Sequence, residues 1–225
     1  MSNTTHDSTS KPTHESTPSR LSQLPQSLAL PLARWGSIDL MATAVIGVVF
    51  GVAYWGWSSA YTALSTPLTG FLGSSIGLLG GPWLIAGVVA GLVVRRPGAA
   101  LFAELLAAAV EALLGNEWGW VTLISGTLQG LGVELALAIF LYRRFSWPVA
   151  MLGGALAAAF EFLYEWHAYW QGTTATFKLS YLGFFVLSGA VVAGLGGWAL
   201  TRALAASGAI DALPAGREAA HDHAV

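Results

Sequence analysis

Glu104, Glu111, Glu134, Glu161 and Glu165 stand inside stretches that are otherwise nearly all apolar, with no Lys or Arg in the core of those stretches. A charged group at mid-bilayer costs ~2.5–3.5 kcal/mol on insertion scales, so such residues face a bundle interior and serve function. Five acids without a base among them invite a cation. The structural alternative is a protonated carboxyl, or a hydrogen bond to a neighbouring helix.

Depth sorts these acids. Counting from one end of each apolar stretch at about 1.5 Å per residue puts Glu111 at ~18 Å, Gln129 at ~20 Å and Glu161 at ~20 Å. Trp83 and Ser188 come to ~18 Å and ~21 Å on the same scale. Five helices thus bring a polar or aromatic group to one level. Glu165 lies one turn beyond Glu161 on the same face. Trp55, Trp57, Trp118 and Tyr164 lie toward the same end, as does His167, the one histidine outside the chain's ends. An interfacial belt accounts for many such aromatics; an aromatic-lined pocket is the competing account. Glu134 shares an i+4 row with Gly126, Gly130 and Ala138, so it points into the bundle, toward a ligand or a structural hydrogen bond. Glu104 lies deeper and reads as structural, reaching Arg95 or Arg96.

These types suit a flat, positively charged guest. A carboxylate offsets its charge, and aromatic faces add cation–π attraction of ~2 kcal/mol or more when desolvated. An amide such as Gln129 reads a ring edge by hydrogen bonds. The expected ligand site is Trp55, Trp57, Glu111, Trp118, Gln129, Glu134, Glu161, Tyr164, Glu165 and His167.

The elements that must position them are membrane helices. Of 225 residues, 55% are hydrophobic and 10% charged, against ~25% charged in a soluble domain. Stretches of ~20 apolar residues cross the ~30 Å hydrocarbon core. The pattern predicts an all-α integral membrane protein, a bundle of six transmembrane helices at residues 37–57, 76–95, 98–115, 118–142, 147–170 and 180–204. Pro97 and Pro148 mark junctions. Residues 58–75 read as a loop or re-entrant segment, or a short seventh helix from Leu64. A β-barrel is disfavoured, because the segments are too continuously apolar to alternate. Residues 1–33 and 206–225 read as disordered tails around a domain at 34–205. His221 and His223 fall in the second and read as solvated rather than metal-binding.

With the N-terminus inside, Arg34, Arg95, Arg96, Arg143, Arg144 and Arg202 share one side and Lys178 falls on the other. That follows the positive-inside rule and puts both termini in the cytoplasm. The first ~30 residues lack the apolar h-region of a signal peptide. Small residues on helix one (Ala44, Gly47 and Gly51) form a row that could dock another membrane subunit.

Several functions are disfavoured. Net charge is −2, so no basic footprint for nucleic acid exists. Cysteine is absent, which removes disulfides and thiolate chemistry. No phosphate-binding loop, HExxH or GxSxG occurs, so the chain neither hydrolyses ATP nor reads as an enzyme. No cofactor or metal is expected.

The stretch RRPGAALFAELLAAAVEALLGNEWGWVTLISGTLQGLGVELALAIFLYRR, residues 95–144, resembles the substrate-binding S-components of energy-coupling-factor (ECF) vitamin importers, of the YkoE type. WGSIDLMATAVIGVVFGVAYWGW (35–57) and EFLYEWHAYW (161–170) support it. The resemblance covers residues 33–205. It implies a six-helix S-component of the cell membrane that binds thiamin or its hydroxymethylpyrimidine precursor from outside. It also implies partners: a transmembrane T-component and a pair of ABC-type ATPases. Many S-components dock the T-component through alanines four apart on helix one; here Gly47 and Gly51 hold that spacing. The rival reading from residues is a stand-alone proton-coupled secondary transporter using Glu104, Glu134 and His167.

Overall fold

The computed structural model describes residues 35–223, apart from the side chains at 66–69, 71, 222 and 223; Arg34 and the stretch 1–33 lie outside it. All regular structure among the described residues is helical. The α-helices are α1 (Ser37–Leu72), α2 (Ile85–Val94), α3 (Ala99–Leu114), α4 (Thr122–Ile139), α5 (Trp147–Ala168), α6 (Ala175–Ser188), α7 (Gly196–Ala206) and α8 (Pro214–His223). Two 3₁₀ turns, Gly73–Leu79 and Gly81–Leu84, lead into α2, and a π-helix, Gly189–Leu195, joins α6 to α7. Five helical stretches among the described residues are long and apolar enough to cross a membrane: Ser37–Ser65, Gly73–Val94, Gly119–Ile139, Trp147–Ala168 and Ala175–Ala206. The chain is an all-helical, multi-pass membrane protein. The remaining apolar helix, α3, has 16 residues and reaches about 24 Å at ~1.5 Å per residue.

α1 shows how lipid reverses the usual pattern. Its inward stripe is Thr43, Gly47, Gly51, Tyr54 and Ser58, all buried. Its outward stripe is Ile38, Met41, Val45, Val49 and Val52, all exposed. Apolar side chains cost nothing against lipid tails, so the small and polar residues are the ones that pack. Polar Thr43 satisfies itself locally, its hydroxyl donating to the Asp39 carbonyl at 2.7 Å.

The small row of α1 is internal. A Cβ on Gly51 would stand 2.7 Å from the Ala107 carbonyl oxygen, and one on Gly47 would stand 3.0 Å from that of Ala103. Both glycines therefore let α1 lie against α3, with Ala44 half-buried beside them. The expected outer docking face at Ala44, Gly47 and Gly51 is occupied by the bundle itself at its two glycines.

Three other expectations change. Residues 58–72 continue α1 as helix, and the 3₁₀ turns begin only at Gly73. Hydroxyls in this stretch bond back onto the helix, as Ser59 and Thr62 donate to the carbonyls of Trp55 and Ser58, so polar residues that read as a loop are absorbed. Beyond Ala205 the chain turns and forms α8, with Leu213 and Ala215 buried and Glu218 paired to Arg95; two apolar anchors were too few to register as a pattern. Glu104 meets neither Arg95 nor Arg96. It accepts from the Tyr54 hydroxyl at 3.2 Å and the Gly87 N–H at 2.9 Å. Arg96 pairs with Asp39 at 3.0 Å.

Candidate ligand site

Helices α1, α3, α4, α5 and α6, with the 3₁₀ turns, enclose a cavity of about 250 Å³. It lies toward the ends of α3 and α5 that carry Glu111 and Glu165, the end away from the arginines at 95, 143 and 144. Of the expected residues, Glu111, Trp118, Gln129, Glu161 and Glu165 line it. Tyr61, Trp83, Glu117, Trp170 and Tyr181 line it as well.

The aromatic wall is built by mutual contact. The Trp83 ring stands 5.1 Å from Tyr61 and 5.7 Å from Trp118, both edge-on. Trp170 and Tyr181 pack 4.7 Å apart on the other side. Such pairs fix ring orientation beyond what burial alone gives. The pocket thus offers rigid faces at little entropic cost.

Among the described residues four carboxylates line the cavity, Glu111, Glu117, Glu161 and Glu165, and no Lys, Arg or His does. All four hold donors, Glu161 through the Ser125 hydroxyl. Glu111 accepts from the Ser58 hydroxyl and, at 3.4 Å, from the Trp83 indole. Glu117 accepts from Thr62 at 3.0 Å, and Glu165 from the Trp170 indole at 3.4 Å. Glu161 differs. It is 4% exposed, and its Oε2 is buried with no hydrogen-bond partner. A buried carboxylate oxygen left unpaired is costly in an apolar medium. A cationic or hydrogen-bond-donating ligand in the cavity would remove that cost.

The other expected residues lie elsewhere. Trp55 is 41% exposed, one position off the inward stripe of α1. Trp57 stands behind Trp83, 6.1 Å away, and donates to the Leu79 carbonyl at 3.2 Å; it braces the wall rather than forming it. Tyr164 packs edge-on against Tyr169 at 5.8 Å. His167 is exposed, and its carbonyl accepts from Gln171.

Glu134 performs a structural task. Its Oε1 accepts from the N–H groups of Ala100 and Leu101, at 2.8 and 3.3 Å, and its other oxygen from the Tyr142 hydroxyl. The first N–H groups of a helix have no partner within it, and its N-terminus favours negative charge. Glu134 therefore caps α3 from α4. Burial, then the adjacent carboxylate, raises the Tyr142 phenol above its ordinary pKa. Glu134→Leu orphans these donors and is expected to cost about 3 kcal/mol, read as a fall of roughly 6–12 °C in Tm. Glu134→Gln, which keeps an acceptor, loses less. Ligand affinity of either folded variant stays within about threefold, because Glu134 does not line the cavity.

Known proteins resemble this chain in sequence and fold. A family model described as "ABC-type cobalt transport system, permease component" matches residues 38–160. The chain is 34% identical over 190 residues to the "Putative HMP/thiamine permease protein YkoE" of Bacillus subtilis (strain 168), covering 82% of this chain and 92% of that protein. The "Crystal structure of an S-component of ECF transporter" superposes with a TM-score of 0.79 at 31% identity, over 84% of this chain and 95% of that one. The chain belongs to the ECF transporter S-components. An S-component is a membrane subunit for solute uptake and not an enzyme.

Proposed function

We propose that this S-component captures thiamin, or its hydroxymethylpyrimidine precursor, from outside and passes it inward through a T-component and a pair of ABC-type ATPases. The Glu161 carboxylate, whose Oε2 is buried and unpaired in an aromatic-walled cavity, carries the reading. Thiamin brings a permanent thiazolium charge and an aminopyrimidine ring. The charge complements a lining that, among the described residues, holds four acids and no base. The rings stack on Trp83, Trp118 or Trp170, and Gln129 reads the aminopyrimidine edge. The name of the Bacillus subtilis relative, an HMP/thiamine permease, points to the same ligand class.

In this reading the chain spans the membrane six times, α3 being the sixth span, with both termini cytoplasmic. Supporting it, Arg95, Arg96, Arg143, Arg144 and Arg202 collect at the end away from the cavity, as the positive-inside rule requires of the cytoplasmic face. The cavity then faces outward.

Bare hydroxymethylpyrimidine is neutral: its amino group can donate to a carboxylate, but it brings no charge to offset the surplus acids. Calorimetric titration of the purified protein is therefore expected to show thiamin binding at least about tenfold tighter, or ~1.4 kcal/mol. Equal or reversed affinities would remove the charge pairing from the account.

A further inference from the structure

A second cavity, of about 650 Å³, opens at the other end of the bundle. Along α5, Trp147 on its wall is roughly 21 Å from Glu161 at ~1.5 Å per residue. Arg95, Arg143, Arg144 and Arg202 line it, against one carboxylate, Glu218. Glu218 pairs with Arg95, and among the described side chains the other three arginines have no ion-pair partner. Charges needed only for orientation could lie anywhere on that face. Here the end of α2, the α4–α5 connection and α7 deliver them to one concavity, which α8 flanks.

Two further observations mark the place as built. Three described non-glycine residues have positive φ: Arg95 at 58°, Leu141 at 53° and Tyr142 at 53°. Arg95 and Tyr142 line this cavity, and Leu141 adjoins it. Strained backbone held in place by its surroundings gathers at ligand sites. The cavity is also partly apolar. Trp147 and Trp198 line it, with Trp147 and Leu141 51% and 50% exposed. The Arg202 guanidinium lies 5.7 Å over the Trp198 ring and that of Arg95 4.5 Å over Phe145, so both heads are held by ring faces.

We propose that this cavity binds a phosphate ester, the headgroup of an anionic phospholipid. Guanidinium forks match phosphate oxygens two at a time. Basic pockets between helices on the cytoplasmic side suit such headgroups, with tryptophans at the level of the glycerol. A soluble phosphate offers the same oxygens but no acyl chains for the exposed Trp147 and Leu141.

Thermal unfolding of the purified full chain tests this in detergent micelles doped with phosphatidylglycerol, phosphatidylcholine or inorganic phosphate. Phosphatidylglycerol is expected to raise Tm by roughly 5 °C or more over phosphatidylcholine. The combined variant Arg143→Gln, Arg144→Gln and Arg202→Gln is expected to abolish that increment, and Lys178→Gln, at the other end, to keep it. Should the combined variant lose helix content by circular dichroism, Arg143→Gln alone, an exposed position, must still lower the increment. Inorganic phosphate producing the full increment would keep the phosphate site and assign it to a soluble ligand. Equal responses to the two lipids, or an increment that survives the arginine variants, would overturn the proposal.

Discussion

Glu161→Gln is expected to weaken thiamin binding about a hundredfold while leaving hydroxymethylpyrimidine within about threefold. The substitution keeps size and a hydrogen-bonding carbonyl but removes the charge. Truncating one member of a desolvated, hydrogen-bonded charge pair typically costs ~2–5 kcal/mol, and ~2.7 kcal/mol is a hundredfold. The effect concentrates on Glu161 because its Oε2 alone among the lining carboxylate oxygens is buried without a donor. Glu111→Gln is expected to cost less, since Ser58 and Trp83 already satisfy Glu111. Titration calorimetry of both variants with both ligands checks the pattern. A uniform loss for thiamin and pyrimidine alike would assign Glu161 to shape rather than charge.

The second large effect concerns stability. α5 crosses the π-helix through Gly154 and Gly189, and a Cβ on Gly154 would stand 2.0 Å from the Gly189 carbonyl oxygen. The obstacle is backbone on both sides, so no rotamer change relieves it. Gly154→Ala is expected to cost about 3 kcal/mol or more, at the upper end for overpacking, lowering Tm by roughly 6–12 °C. Gly183→Ala is the internal comparison. Gly183 sits within α6 with nothing within 4 Å of an added Cβ, so alanine there is neutral or stabilising by up to ~1 kcal/mol through helix propensity. Equal melting of the two variants would mean the crossing yields more readily than its contacts imply. Glu161 rides on α5 two turns from Gly154, so a surviving Gly154→Ala protein should also bind ligand less tightly.

The two outcomes rest on different parts of the sequence's legibility. Intramembrane acids are legible because nothing local can satisfy them, and their heights can be counted from helix geometry alone. That count brings Glu111, Gln129 and Glu161 to one level, and all three line the cavity. It cannot give rotation about the helix axis. Trp55 and Tyr164 lie toward the same end but do not line the cavity, while Tyr181, on a helix expected to begin five residues later than it does, lines it. Glu134 misled for a related reason. Its row of glycines does point inward, with Gly126 and Gly130 against α3, but the interior there holds the N-terminus of α3 rather than a cavity. The long continuation of α1 to Leu72 was hidden because Pro67, Gly70 and Gly73 are loop-forming in water, whereas a helix end near the membrane has few other ways to satisfy its backbone. α8 was hidden because its contact with the bundle rests on Leu213, Ala215 and one ion pair.

A structure of the purified protein soaked with thiamin tests the whole account most directly. The cation is expected inside the 250 Å³ cavity, its thiazolium within about 4–6 Å of the Glu161 carboxylate, the range in which opposite charges hold each other ionised, and its rings against the Trp83–Trp118 or Trp170 faces. Thiamin bound at another place on the chain, with the Glu161 Oε2 still unpaired, would contradict it.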